Sequence, residues 1–227
     1  MWAPGCLGCF AAGVAPDRTT IRLTDVNSAA PRPELHPTDM ILDAARGIVL
    51  DRGLGAATVA AIAESSGAPI GSIYHRFRSV NELLAEMWIR AVRRSQARFA
   101  SAAEQADPIE AAVAAALSVY DFCVDHPADA RLLLSFRPED LAEGGIDPAQ
   151  RDELQRLNEP VKEVVKDLAR RIYGRASRRS LDVVIMAVFD LPHGAVRRPL
   201  ANGETLSRER REAVETAVRA VLADAPS

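Results

Sequence analysis

Cysteine is scarce in this 227-residue chain, which has only Cys6, Cys9 and Cys123. An odd, sparse count argues against a disulfide framework and for a reducing compartment, so a cytoplasmic location is expected. Cys6-x-x-Cys9 has no second pair to complete a zinc site and no βαβ pattern around it. Histidine is equally thin. His36, His75, His126 and His193 lie far apart with no i, i+4 pair, so no metal site is expected. There is no Gly-rich phosphate loop and no G-x-S-x-G elbow, which leaves no sign of catalysis and no cofactor. No run of about 18 uncharged apolar residues offers a membrane span. Runs of alternating β-branched residues are missing too, which removes the usual signature of a sheet. The net charge of −3 excludes a chain that is basic throughout, though not a local basic surface.

What is abundant is Ala, Leu, Arg and Glu, all good helix formers, and the fold class predicted is all-α. Residues 1–36 read as a disordered extension, with the Pro-rich "APRPELHP" discouraging helix up to Pro37. A first helix is expected from Thr38, with Ile41, Leu42, Ala45, Ile48 and Val49 on one face and Gly53 as its stop. Thr58 caps a short second helix, "VAAIAESS", and Gly67 ends it. Pro69 fits the first turn of a third helix running to about His75. Ser79 and Glu82 then form a capping box that opens a fourth helix, expected to reach about Glu104.

Further helices follow. Asp107-Pro108 opens one to about Val124, and His126-Pro127 breaks it before "ADARLLLSF". "RPEDLAEGGIDP" reads as a loop. The next helix spans about 149–173, with a kink or restart at Pro160. Another covers Ser177 to about Ala195, then "RRPLANGE" reads as a turn, and Ser207–Leu222 is the last helix.

The informative stretch is "SSGAPIGSIYHRFRSVNELL", residues 65–84. Two short helices joined by a tight turn behind a longer one make a helix-turn-helix. Gly67 allows the turn, and Ala60, Ala61, Ala63 and Ile73 allow close packing. Ser72 is small enough to let the backbone approach base edges. Tyr74 and His75 can donate hydrogen bonds to phosphate oxygens, while Arg76 and Arg78 can neutralise them. Pattern alone leaves a second reading for two of these: Tyr74 packed in the small core, and His75 as a solvated surface histidine. Phe77 is assigned to the core. Across 38–98 eight arginines face six acids, so this end is locally positive. Arg90, Arg93, Arg94 and Arg98 are read as a solvated face of the fourth helix rather than as DNA contacts.

Residues 38–84 resemble the DNA-binding domain of the TetR family of repressors. The carrying stretch is "ILDAARGIVLDRGLGAATVAAIAESSGAPIGSIYHRFRSVNELL". The resemblance implies a helix-turn-helix DNA-binding domain over 37–84 and a helical ligand-binding and dimerisation domain over 85–227. It implies that Thr58 and Tyr74 contact phosphate, and that Pro69, Ile70, Ser72 and His75 face the major groove. With Gly71, Arg76 and Arg78 these make up the expected DNA-binding set. Two positions depart from the family's habit. Val80 stands where a phosphate-gripping lysine is common, and Ile70 where many members are polar or basic.

The C-terminal part carries no motif. "SLDVVIMAVFDLPHGAV" is too apolar all round for a helix with a wet face, so burial on two sides is expected. With the last helix it would form a four-helix bundle across a two-fold axis, through Val184, Val188, Val214 and Val218. The alternative is an ordinary buried helix within one subunit. Candidate ligand residues are Trp88, Tyr120, Phe122, Phe136, Phe189 and His193, a set that suits a small, mostly apolar ligand. The functional expectation is a homodimeric repressor on a pseudo-palindromic, double-stranded DNA operator, released by that ligand. The alternative is an all-helical ligand-binding dimer that has lost DNA binding, to which Val80 and Ile70 would point.

Overall fold

The computed structural model describes residues 37–137 and 148–223. Among them every regular element is helical. The helices are α1 (Pro37–Arg52), α2 (Val59–Ser66), α3 (Ile70–Arg76), α4 (Val80–Ala102), α5 (Pro108–Asp125) and α6 (Pro127–Ser135). After them come α7 (Pro148–Arg156), α8 (Glu159–Tyr173), α9 (Arg178–Ile185), α10 (Leu191–Ala201) and α11 (Arg208–Ala223). The expectations for the N-terminal extension, for Cys6, Cys9 and His36, and for most of "RPEDLAEGGIDP" lie outside the described residues.

Local sequence explains most boundaries. Gly53 stops α1 at φ 84° and Gly67 stops α2 at φ 71°, left-handed conformations that favour glycine. The Thr58 hydroxyl accepts from the Ala61 amide at 3.2 Å, and Ser79 accepts from the Glu82 amide at 3.1 Å. Glu82 reaches back to the Arg78 amide at 2.7 Å, one residue earlier than the usual capping box. Asp107 caps α5 through the amides of Ile109 and Glu110. Pro69 stands just before α3 rather than in its first turn, and its carbonyl accepts from Ser72.

One expectation fails in the C-terminal part. The helix expected to end near Ala195 runs on to Ala201, so "RRPL" is helical and not a turn. Between α9 and α10 the chain keeps its helical course through a wide π-helical segment, Met186–Asp190, closed by the Leu191 amide on the Met186 carbonyl. That leaves Pro192 in the first turn of α10, where proline is tolerated. Pro199 cannot donate to the Ala195 carbonyl. That oxygen accepts instead from Arg210 Nη1 of α11 at 3.3 Å.

There are two principal cores. One gathers Ile41, Leu42, Val49, Ile62, Ile73 and Phe77 from α1–α3 against Leu83, Leu84 and Met87 of α4. The other surrounds α5, which is buried along most of its length and packs against α4, α8, the α9–α10 helix and α11. Helix α6 belongs to both: Ala130 lies in the α5 core and Leu132 in the α1–α4 core. Tyr120 ties the C-terminal helices together, its hydroxyl donating to the Ser207 carbonyl at 2.7 Å.

Candidate nucleic-acid interface

Helix α3 buries one side chain, Ile73, and presents the rest outward. Ile70 is 50% exposed and Tyr74 56% exposed. Pro69, Gly71, His75, Arg76 and Arg78 are also exposed, and Ser72 is half-buried. Tyr74 is therefore not a core residue, whereas Phe77 is. Arg76 Nη1 lies 3.0 Å from the Ser72 carbonyl, so its guanidinium runs back along α3.

Beside α3 lies a cleft of about 480 Å³. Thr58 and Val59 at the start of α2, Val80 and Asn81 at the start of α4, and Tyr74 line it together. Two helix N-termini thus converge on one hollow, with backbone N–H groups and the positive ends of both helix dipoles nearby. Tyr74 and Thr58, each carrying a hydroxyl, are among the residues lining it. This combination is suited to an anionic oxygen. Asn81, which the sequence reading passed over, is an amide side chain at this cleft next to the apolar Val80. It was recognisable only as the residue following a position already singled out.

The arginines of α4 are solvated to different degrees, Arg93 most and Arg90 least, and all four are paired. Arg90 is 11% exposed at its side chain and pairs with Asp39 at 2.7 Å and also with Asp43. Arg94 pairs with Asp129 at 3.1 Å, Arg98 with Asp125 at 2.6 Å, and Arg93 with Glu153. They are ties between helices, with Arg90 largely buried and Arg93, Arg94 and Arg98 paired nearer the surface.

The expected ligand residues do not gather around one cavity. Phe136 and Trp88 pack against the α1–α4 core, while Tyr120 and Phe122 are buried in the α5 core. Phe189 stacks on Phe99 with ring centroids 4.7 Å apart, and also with His193 at 5.9 Å. His193 Nδ1 donates to the Phe189 carbonyl at 2.8 Å. Burial holds its pKa below the usual histidine value, so the ring is neutral near pH 7. Burial likewise pushes the Cys123 thiol up to about 12, far from a reactive thiolate. A second cleft, of about 510 Å³, opens between α4, α5 and α11. Its charges already satisfy one another: Arg211 forks onto Asp121 at 2.6 and 2.9 Å, and Arg219 onto Glu110 at 2.6 and 2.8 Å.

Val184, Val188, Val214 and Val218, expected at a subunit interface, are buried inside the single chain. Their side chains belong to the α5 core and face inward, the placement of an ordinary buried helix within one subunit. No helix among the described residues is long and apolar enough to cross a membrane. No group of three or more His, Cys, Asp or Glu among them is placed to hold a metal ion.

Residues 41–87 match the family model described as "Bacterial regulatory proteins, tetR family". Solved structures share the architecture across most of the chain. A putative transcriptional regulator from Pseudomonas aeruginosa PAO1 superposes with TM-score 0.64 at 18% identity, covering 84% of this chain and 94% of its own. The fatty acid degradation regulator FadR from Bacillus halodurans gives 0.62 at 16%, covering 85% and 97%. The ketosteroid transcriptional regulator KstR2 of Mycobacterium tuberculosis gives 0.59 at 18%, covering 83% and 94%. No curated protein matches the sequence. Residues 41–87 therefore form a DNA-binding domain of the TetR family, and the helical part that follows shares its fold with these solved structures.

Proposed function

We propose that this protein is a homodimeric repressor that binds a pseudo-palindromic operator and leaves it when a small molecule binds the C-terminal helices. The observation that carries the reading is the outward face of α3 beside the cleft that Thr58, Tyr74 and the start of α4 line together. Tyr74, Thr58 and the amides of both helix starts hold one phosphate strand, with Asn81 taking the place that lysine would fill at Val80. Pro69, Ile70, Gly71, Ser72 and His75 enter the major groove, and Arg76 and Arg78 face the flanking backbone.

With Val184 and Val188 turned inward, the partner meets the opposite faces of the same helices. Met186 is 41% exposed in the π segment, and Ala213, Thr216 and Ala220 are exposed on α11. Two subunits joined there place their recognition helices about 34–36 Å apart, in successive major grooves. The ligand is small and mostly apolar. Its proposed place is beside the stacked rings of Phe99, Phe189 and His193, next to the π segment. FadR and KstR2, named for fatty acid and ketosteroid regulation, share the architecture and are in keeping with such a ligand. Regulation rather than catalysis is the role proposed.

Selection of bound duplexes from a random DNA library tests the reading. Enrichment of two inverted half-sites one helical turn apart supports it. Recovery of no preferred sequence from a folded protein contradicts it, and favours a sensor that has given up DNA.

A further inference from the structure

Helix α6 stands where the two cores meet, and Asp129, in its first turn, is 2% exposed. A carboxylate so buried is costly unless it is paired and hydrogen-bonded. Its partners come from two other elements. Arg46 Nη1 of α1 contacts Oδ1, and Arg94 Nη1 of α4 contacts Oδ2 at 3.1 Å. The pairing continues outward. Arg46 also pairs with Asp43 at 3.2 Å, Arg90 of α4 holds Asp39 and Asp43, and Arg94 lies 3.7 Å from Asp39. Three carboxylates and three guanidiniums therefore connect α1, α4 and α6 with no net charge left over.

We propose that Asp129 is a positioning residue that fixes α1–α3 at one orientation on the C-terminal helices. Apolar packing alone does not do this, because hydrophobic contact is non-directional and tolerates sliding. The contacts flanking Asp129 are of that kind: Ala130 faces one core, Leu132 the other, and Leu133 packs against both. A carboxylate with one oxygen on each of two arginines is directional, and it locks α1 to α4 and α6 at a single register. Helix α1 packs on α2, and α2 on α3, so the register of α1 sets where α3 points. The consequence for DNA rests on the repressor reading; the positioning itself does not.

The test is a distance measurement in the full chain. Spin labels go on Arg52→Cys at the end of α1 and Glu104→Cys beyond α4, both exposed, with the native cysteines replaced. Labelled chain is diluted into unlabelled chain, so that only the distance within one subunit is read. The parent should give one narrow distribution. Asp129→Asn should broaden it about twofold, while Asp121→Asn, whose partner is Arg211 far from this junction, leaves it narrow. If Asp129→Asn fails to fold, Arg94→Gln and Arg46→Gln carry the same expectation. An unchanged width in the variants that fold overturns the proposal. On a selected operator, Asp129→Asn should bind about tenfold more weakly, with unchanged affinity for a single half-site. If the parent binds no duplex the repressor reading fails, and the distance distributions still decide whether Asp129 positions the unit.

Discussion

Thr58 and Tyr74 belong to different helices, yet they line the same cleft beside the first turn of α4. Thr58 is already a helix cap, its hydroxyl accepting from Ala61, so its outward hydrogen remains available as a donor. Tyr74 is more than half exposed and carries little of the core. Tyr74→Ala should therefore weaken binding to every duplex sequence alike, about tenfold, without shifting the melting temperature. Titration of specific and non-specific duplexes, with a thermal melt as control, checks this. A loss confined to one sequence would make Tyr74 a base reader instead.

Val80 is half-buried at the rim of the cleft and packs against the α1–α4 core. Lysine can keep that packing along its stem while its ammonium reaches outward. Val80→Lys should tighten duplex binding and steepen the log–log salt slope by about one. An unchanged slope would mean that residue 80 does not face phosphate.

The opposite faces of the α9–α10 helix should respond differently to charge. Val188→Asp places a carboxylate in the α5 core and should unfold the chain or cost more than about 3 kcal/mol. Met186→Glu, on the exposed side, should melt like the parent while sedimenting as a monomer. A Met186→Glu protein that stays fully dimeric would move the interface elsewhere.

Tyr120 was expected among ligand residues, but its hydroxyl is already committed to the Ser207 carbonyl. Tyr120→Phe should cost about 1 kcal/mol in urea unfolding. No loss would mean that the bond to the start of α11 contributes nothing.

His193 gives a pH signature. Its folded pKa lies below the ordinary value of 6.5, so the unfolded chain binds the proton more readily. Stability from this group is present above pH 6.5 and is lost as pH falls toward the lower folded value. His193→Gln should flatten this part of the decline in melting temperature between pH 7.5 and 5.5. An unchanged decline would place its origin in other groups.

The N-terminal half of the fold was legible because its signals are local. Thr58, Gly67, Ser79 and Glu82 each act on amides or dihedrals within a few residues, so their effect can be read from the chain alone. The exposed set on α3 was legible for the same reason: a seven-residue helix with one apolar side leaves little choice of face. The α9–α10 helix was not. Its apolar residues surround the axis, so no pattern says which valines point inward and which side chains meet a partner. The stretch around Pro199 read as a turn, yet Arg210 of α11 takes up the carbonyl that this proline leaves free, and that is a tertiary fact. The pairing of the α4 arginines was not legible either, since Asp39, Asp129 and Glu153 come from three distant elements.

DNA binding by the α3 face and its cleft underlies the proposed function. It is tested most directly by titrating the purified protein against the DNA upstream of its own coding region at several salt concentrations. Specific binding is expected, its affinity falling linearly with salt on a log–log plot with a slope set by the phosphates held. A folded dimer that binds this DNA no better than random duplex, with no salt slope, would contradict it.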